Sequence, residues 1–325
     1  MQIPIEPVDA VTITTVMDNS SDMLLQDQGP AKRGGPGHDV PKRSARFLEA
    51  GETADALLAE HGFSALLAIQ KGDTTARILF DAGMTPDGAA ENLRRLELPV
   101  KDIEAIVLSH GHFDHTTGMH GIVESLGLGN LPVYIHPEFW HQRRIAIPGR
   151  EPRDLPATSK HALLGAGFEI IEERQPSFLL DNSLLITGEV DRTTEFERGF
   201  PVHEAFINGE WQPDPLILDD QAAILHVRGK GLVVLTGCGH AGIVNIVRYA
   251  KRLTGIDQVY AVIGGFHLGG QHFEPIIGDT VAALRDLAPE VLVPAHCTGW
   301  KAQHALAAAM PAAFIPNSVG TRYEL

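Results

Sequence analysis

The feature that most constrains this chain is a group of metal-ligand residue types placed directly after a predicted buried strand. Residues Ile103–Leu108 form a nearly continuous apolar run, typical of a strand that is covered on both faces. The segment 109–115 (Ser-His-Gly-His-Phe-Asp-His) follows at once. Its candidate ligands are His110, His112, Asp114 and His115.

The spacing of these residues predicts how they share a cation. Alternate side chains of an extended segment point the same way, so His110 and His112 are expected to face one ion. A sharp turn, eased by Gly111, would then bring Asp114 and His115 to an adjacent position. Imidazole and carboxylate ligands suit Zn²⁺, with Fe or Mn as alternatives. The sequence therefore predicts a centre for one or two divalent metal ions.

Composition excludes several other classes of protein. The 325 residues are 44% hydrophobic, which suits a globular chain rather than a disordered one. Lys and Arg number 26 against 41 Asp and Glu, a formal net charge of −15 that disfavours nucleic acid and anionic membranes as partners. No apolar run has the ~20 residues of a membrane helix, and no signal peptide is evident, so the cytoplasm is the expected compartment.

The order of predicted elements favours a layered α/β domain. Hairpins dominate the first half of the chain, and strands alternate with helices in the second half. Without a linker long enough to separate two units, residues 1–325 are expected to form a single domain. Loop insertions are predicted around residues 27–46, 138–160 and 191–220.

Several motifs together resemble a known family. The His-x-His-x-Asp-His pattern of residues 110–115 is similar to that of the metallo-β-lactamase fold superfamily. Further segments resemble the branch of that superfamily named for 7,8-dihydropterin-6-yl-methyl-4-(β-D-ribofuranosyl)aminobenzene 5′-phosphate synthase, and the resemblance covers nearly the whole chain. These segments are 78–83 (Ile-Leu-Phe-Asp-Ala-Gly), 236–245 (Thr-Gly-Cys-Gly-His-Ala-Gly-Ile-Val-Asn), 264–268 (Gly-Gly-Phe-His-Leu), 294–299 (Pro-Ala-His-Cys-Thr-Gly) and 319–323 (Val-Gly-Thr-Arg-Tyr).

The resemblance implies an αββα four-layer sandwich, with mixed β-sheets inside, helices outside and a metal site at one edge between the sheets. It maps His296 onto the last histidine ligand, and His240 is the candidate for the remaining one. Asp81 is expected to fix the orientation of a ligand histidine by accepting its second N–H.

This sequence also departs from the superfamily pattern. The place of an earlier ligand histidine reads Thr-Gly-Glu at 187–189, and Cys238 stands where a bridging aspartate is usual. As a thiolate Cys238 could bind metal, and as a thiol it could be a buried structural residue. One tight metal with a weaker or absent second is therefore an alternative to a symmetric pair.

Substrate-side residues are less constrained by the sequence. His267 is a candidate acid or base, or else an ordinary loop histidine. Arginines are concentrated in two of the predicted loops, and guanidinium groups bind phosphate or carboxylate in bidentate fashion. Arg143, Arg144 and Arg192 are therefore candidates for an anion-recognition lid, with solvated loop charges as the alternative.

The function predicted first is that of a metal-dependent hydrolase, in which a metal-bound hydroxide attacks an ester, lactone, amide or phosphoester of a small anionic substrate. Asp114 would orient the water or hold a second metal, and His267 or His240 would move a proton. One alternative is condensation of a pterin precursor with a ribofuranosylaminobenzene phosphate at the same site. Another is a non-catalytic metal-binding or ligand-sensing protein. The sequence leaves a homo-oligomer open.

Overall fold

The computed structural model describes residues 2–33, 41–127 and 130–325. Its largest sheet has eight strands, and apolar β-branched runs such as that of the first strand account for its buried core positions. In spatial order these strands are β11 (Glu169–Glu172), β8 (Pro132–Ile135), β7 (Ala105–Val107), β6 (Thr74–Phe80), β5 (Ser64–Lys71), β1 (Ala10–Met17), β20 (Arg322–Glu324) and β2 (Ala31–Lys32).

A second sheet of six strands faces the first. In spatial order it contains β12 (Ser177–Leu179), β13 (Leu184–Ile186), β16 (Ala222–Val227), β17 (Gly231–Thr236), β18 (Val259–Gly265) and β19 (Val291–Ala295). Strands β6, β7 and β8 run parallel in the first sheet, and β17, β18 and β19 run parallel in the second.

Six helices cover the outer faces of the two sheets in the described part of the chain. They are α1 (Gly88–Arg95), α3 (Met119–Leu126), α4 (Lys160–Gly165), α5 (Ile243–Thr254), α6 (Ile277–Leu287) and α7 (Trp300–Ala309). The short helix α2 (Phe113–Thr116) lies instead at the edge where the two sheets meet. Short 3₁₀ turns occupy Val100–Asp102, Pro137–Trp140, Glu274–Ile276 and His296–Thr298. In the described part of the chain, no helix combines the length and the apolarity that crossing a membrane requires.

Three apolar cores define the layers. The central core joins the inner faces of the two sheets, with Leu67 and Ile78 from one and Val233 and Ile263 from the other. A second core packs α5, α6 and α7 on the six-stranded sheet, and a third packs α1 and α3 on the eight-stranded sheet. Helix, sheet, sheet and helix thus form four layers, which confirms the predicted αββα sandwich.

The predicted loop insertions contain short strands, which the sequence analysis did not predict. The segments 138–160 and 191–220 meet in a small antiparallel sheet, which we call the insertion sheet. Its strands in spatial order are β10 (Arg153–Leu155), β9 (Arg143–Ile145), β14 (His203–Ile207) and β15 (Glu210–Pro213). Each is three to five residues long and charged, so no apolar alternation marked it in the sequence.

The first predicted insertion, 27–46, also carries regular structure. It includes β2 and β3 (Lys42–Ser44), and β3 pairs with β4 (Glu52–Ala54). Residues 34–40 of this predicted loop lie outside the described residues.

Candidate metal centre

The predicted ligands converge because parallel strands end at a common edge. Strands β6 and β7 deliver Asp81 and the 109–115 segment at this edge of the first sheet. Strands β17, β18 and β19 bring their following residues to the facing edge of the second sheet. Ligand sites of open parallel sheets form at such carboxyl ends.

Three histidines form a first group of converging ring nitrogens. Nε2 of His110 lies 2.9 Å from Nδ1 of His112, and Nε2 of His240 lies 3.1 Å from that same Nδ1. All three side chains are buried. The structure thus brings His240 to the place that the sequence analysis expected for it.

A second group adjoins the first. Potential ligand atoms of Asp114, His115, Cys238 and His296 all lie within 4.8 Å of one another. Nε2 of His115 is 3.1 Å from Sγ of Cys238, and Nε2 of His296 is 3.3 Å from Oδ2 of Asp114. Cys238 also groups with His240 and His267, so its sulfur lies between the two sets. All the predicted ligands are therefore brought together, and their binding of metal stays a prediction.

Asp81 orients two of these histidines at once. Its Oδ2 accepts a hydrogen bond from Nδ1 of His115 at 2.7 Å and another from Oγ of Ser109 at 2.7 Å, and its Oδ1 accepts the Ser109 N–H. Since the Ser109 hydroxyl donates to Asp81, it accepts from Nδ1 of His110, which lies 2.9 Å away. Asp81 therefore orients the ring of His115 directly and the ring of His110 through Ser109. The sequence analysis expected this role for one ligand histidine.

This arrangement fits a divalent cation. A neutral His110 that donates from Nδ1 has a bare lone pair on Nε2, and that atom faces the ring nitrogen of His112. Burial, with help from neighbouring histidines, lowers the pKa of His110, His112 and His240 well below the ordinary value, so these rings are neutral at pH 7. Neutral imidazoles with converging lone pairs are the form that coordinates metal.

Charge in the second group differs from charge in the first. Burial opposes ionisation of His115, but the carboxylates of Asp81 and Asp114 outweigh it and raise its pKa to about 9. Burial likewise disfavours the Asp114 carboxylate, yet His115 and His296 lower its pKa. Burial raises the pKa of the Cys238 thiol, so this sulfur would bind a metal only if the cation displaced its proton.

Three residues at the strand ends adopt left-handed backbone conformations. Asp81, His267 and His296 have φ of +58°, +43° and +49°. Such conformations cost about 1–3 kcal/mol in residues other than glycine and are concentrated at functional sites. The backbone strain therefore coincides with the residues that the sequence analysis singled out.

Gly111 is needed for a reason different from the one expected. A Cβ at this position would lie 2.1 Å from the carbonyl oxygen of Phe139 and 2.8 Å from the guanidinium of Arg143. Close packing, rather than an unusual turn, therefore excludes a side chain between the two ligand histidines.

Two cavities open beside the candidate centre. The larger, of about 750 Å³, contacts His240, and the smaller, of about 390 Å³, contacts His296. His267, His272 and Phe273 line both. The His267 ring centroid is 4.0 Å from that of His240, and its buried Nδ1 has no hydrogen-bond partner among the described residues. His267 therefore lies on the wall of both cavities, next to a predicted metal ligand.

Arg143 does not belong to an anion-recognition lid. Its side chain is 2% exposed, and its guanidinium donates to Asp219 at 2.5 and 3.1 Å and to Asp214 at 3.2 Å. The expectation for Arg143 was wrong because a buried guanidinium paired with two carboxylates has no face left for a substrate.

The other two predicted lid arginines also have intramolecular partners. Arg144 pairs with Glu204 and lies 4.3 Å from the ring centroid of Trp211. Arg192 donates to the carbonyl oxygens of His240 and Leu216. Neither residue lines the two cavities, so the structure gives no support to their predicted contact with substrate.

Sequence reasoning missed His203 and the acidic pair that precedes strand β16. Nε2 of His203 lies 2.8 Å from Nε2 of His112. Asp219 accepts the backbone N–H of Gly111, and Asp220 accepts that of Ala241. A polar pair beside a buried apolar run was a usable signal for the aspartates, whereas nothing local marked His203.

Comparison with known proteins agrees with this geometry. Residues 60–296 match the model of the metallo-beta-lactamase superfamily. The 7,8-dihydropterin-6-methyl-4-(beta-D-ribofuranosyl)-aminobenzene-5'-phosphate synthase of Methanocaldococcus jannaschii is 31% identical over 253 residues, which are 75% of this chain and 83% of that protein. An uncharacterized protein of the same organism is 34% identical over 248 residues, 75% of this chain and 86% of that protein.

A solved structure gives the same assignment at the level of the fold. Tm1679, a metal-dependent hydrolase of the beta-lactamase superfamily, superposes with a TM-score of 0.70 at 23% identity, over 97% of this chain and 99% of that one. Sequence and fold together show that the chain belongs to the metallo-β-lactamase superfamily, in the branch of the pterin-aminobenzene-phosphate synthase.

Proposed function

We propose that this protein is a metal-dependent hydrolase acting on an ester, lactone, amide or phosphoester bond of a small anionic substrate. The observation that carries the proposal is the pair of adjoining ligand groups at the strand ends. His110, His112 and His240 would hold one cation, and Asp114, His115 and His296 a second. Cys238 has its sulfur between them.

A divalent cation in this centre would supply Lewis acidity and lower the pKa of coordinated water toward ~7. The residues of the chain supply orientation and proton transfer. Asp81 holds the rings of His110 and His115. Asp114, whose side chain is 12% exposed, would orient an attacking water.

His267 is the candidate for moving a proton to or from the substrate. It lines both cavities, and its ring lies against His240 on one side and Phe273, 4.5 Å away, on the other. On the wall of the larger cavity Arg198 is exposed, so its guanidinium can attract the anionic part of a substrate.

Metal content and turnover test this proposal together. Purified protein is assayed by elemental analysis and then offered esters, lactones, amides and phosphodiesters in water enriched in oxygen-18. We expect at least one equivalent of divalent metal, activity lost on chelation and regained on metal addition, and one labelled oxygen in each product pair. His226→Ala, which removes a half-buried histidine of strand β16 outside the centre, serves as the matched control. Bound metal without turnover of any compound would instead support a metal-binding or ligand-sensing role.

A second candidate reaction has an observation of its own. Two cavities open beside the centre, one in contact with His240 and the other with His296, and His267, His272 and Phe273 line both. Such an arrangement suits two substrates, one bound in each cavity, that react with each other at the centre. The relative from M. jannaschii is named as a synthase. By analogy, this protein would condense a pterin precursor with a ribofuranosylaminobenzene phosphate.

Isotope incorporation separates the two reactions. Hydrolysis transfers oxygen from labelled water to a product. Condensation would join the amine of one substrate to a carbon of the pterin precursor, with loss of the amine proton and of the group that this carbon carries, and would take up no solvent oxygen. Mass spectrometry of reactions with the two proposed substrates, offered singly and together, therefore decides between them. A product formed only from both substrates, without oxygen-18, would favour the synthase and contradict the hydrolase.

A further inference from the structure

One side chain of the insertion sheet, that of His203, contacts a predicted ligand of the candidate metal centre. His203, the first residue of strand β14, is 0% exposed, and its Nε2 lies 2.8 Å from Nε2 of His112. The opposite nitrogen of His112, Nδ1, is the one that faces His110 and His240. His203 therefore contacts a predicted ligand on the side away from the cation position.

We propose that His203 is a positioning residue, which accepts the Nε2–H of His112 and so keeps Nδ1 of His112 free to bind metal. The inference deepens the proposed function and rests on it for its chemistry, since it concerns the same centre. Ligand histidines commonly have their second ring nitrogen fixed in this way.

The surroundings of His203 favour one position for its hydrogen. Oδ2 of Asp214, a carboxylate oxygen that can only accept, lies 3.6 Å from Nδ1 of His203, and no hydrogen bond joins the two atoms. The negative charge of Asp214 at this distance favours a hydrogen on Nδ1 over one on Nε2, and a ring with its one hydrogen on Nδ1 has a bare Nε2. The short contact with His112 consequently needs its hydrogen on Nε2 of His112, which leaves Nδ1 of His112 bare.

Asp214 is itself held by a buried network. Arg143 donates from Nε to Asp214 at 3.2 Å and from both terminal nitrogens to Asp219. Asp219 in turn accepts the N–H of Gly111 at 2.8 Å, in the segment between the two ligand histidines. Arg143, a candidate for substrate binding in the sequence analysis, thus supports the segment that carries the two ligand histidines through Asp219.

Direct contact of His203 with substrate is not part of this role. His203 is absent from the described residues that line the two cavities, and its side chain is fully buried. Its contribution therefore passes through His112, so metal affinity is the quantity to measure.

The test compares two substitutions of similar size. His203→Leu fills the space without an acceptor, and His203→Gln offers an amide oxygen in place of Nε2. Protein stripped by chelation is titrated with Zn²⁺ against a chromophoric chelator, and the visible spectrum of the Co²⁺ form is recorded. We expect His203→Leu to weaken one Zn²⁺ site by ~10–100-fold and to alter the Co²⁺ spectrum, with much of both effects reversed in His203→Gln.

Controls separate this role from general damage to the fold. His136→Gln replaces another fully buried histidine, which caps the Pro137–Trp140 turn, and should leave both readouts unchanged. If His203→Leu does not fold, Asp214→Asn tests the same chain of contacts with His203 in place. That substitution should weaken the same Zn²⁺ site to a smaller extent.

Three outcomes would overturn the inference: wild-type Zn²⁺ affinity in His203→Leu, equal losses in the Leu and Gln variants, or a lower kcat with unchanged Zn²⁺ affinity and Co²⁺ spectrum. The last would indicate direct catalysis. Failure of the proposed function is distinguishable, because a wild-type protein that binds Zn²⁺ without hydrolysing any substrate still allows this comparison.

Discussion

At the scale of single residues, the predicted ligand histidines of the candidate centre are oriented by hydrogen bonds with neighbouring side chains. One carboxylate, that of Asp81, accepts hydrogen bonds from His115 and from Ser109, which in turn holds His110. On the opposite flank, Oδ1 of Asn19 lies 3.2 Å from Nδ1 of His296. The predicted ligands are thus preoriented by the protein, which limits the cost of ordering them on metal binding.

Asp81→Asn should fold but bind metal ~10–100-fold more weakly, because an amide has one acceptor oxygen where the carboxylate has two. Asparagine also tolerates the left-handed backbone at this position. Titration with Zn²⁺ measures the change. Asp9→Asn is the matched control, since this exposed carboxylate accepts the N–H of Gly72 far from the centre. Unchanged affinity in Asp81→Asn would contradict the orienting role.

Cys238→Ser should retain at least one equivalent of metal. The three histidines of the first group remain complete without the sulfur, as do Asp114, His115 and His296 of the second. Elemental analysis measures the remaining metal. Cys297→Ser is the control, because the Cys297 thiol donates to the carbonyl oxygen of Cys238 and belongs to neither group. Complete loss of metal from Cys238→Ser alone would identify this sulfur as a required ligand.

At the scale of elements, helix α5 shows how a distant loop closes the wall of the larger cavity. The carboxylate of Glu197 accepts the N–H groups of Val244 and Asn245 in the first turn of this helix, both at 2.9 Å. Asn245 in turn accepts the N–H groups of Thr193 and Thr194. The loop from 191 to 200 is therefore fixed against the helix that follows His240.

Gly242→Ala should destabilise the protein well beyond the cost of its backbone conformation. A Cβ at Gly242 would lie 2.3 Å from Cδ of Glu197, and φ there is +94°. Gly229→Ala isolates the conformational part, about 1–2 kcal/mol, because φ is +72° but nothing lies within 4 Å. Denaturant unfolding should show a further ~1–3 kcal/mol loss for Gly242→Ala. Equal losses would exclude a steric role for Glu197.

At the scale of the whole molecule, Arg143 connects the insertion sheet to the sandwich. It lies on β9 and pairs with Asp219, which leads into strand β16 of the six-stranded sheet. Both side chains are almost completely buried. A buried charge that loses its partner is costly, so this contact holds the insertion sheet in place more firmly than exposed pairs can.

Arg143→Ala should lower the free energy of unfolding by ~3–5 kcal/mol, because it leaves Asp219 buried without its partner. Arg144→Ala, on the same strand, removes a more exposed pair with Glu204 and should cost about 1 kcal/mol. Chemical unfolding measures both. Residual activity of Arg143→Ala should fall equally for anionic and neutral substrates, and selective loss with anions would restore the anion-lid hypothesis.

The family resemblance was sufficient for the four-layer fold, whereas the strand pattern alone indicated only a layered α/β domain. The His-x-His-x-Asp-His motif carries its information locally, and the structure places its residues beside Asp81, as the contacts of His110 and His115 illustrate. The insertion sheet could not be predicted, because β9 and β14 pair across more than fifty residues and each strand is short and charged. A local sequence pattern does not indicate which distant strand a short strand pairs with. The position of His203 and the burial of Arg143, which both depend on this pairing, were therefore missed.

The meeting of the two sheets at one edge has a consequence for thermal behaviour. His110 follows a strand of one sheet, whereas His240 follows a strand of the other, so an ion held by the first ligand group would act as a cross-link between the halves of the sandwich. Ligation and folding are then thermodynamically linked. Saturation at 100 times the dissociation constant would add about 2.7 kcal/mol to stability, so the melting temperature is expected to rise with free metal concentration.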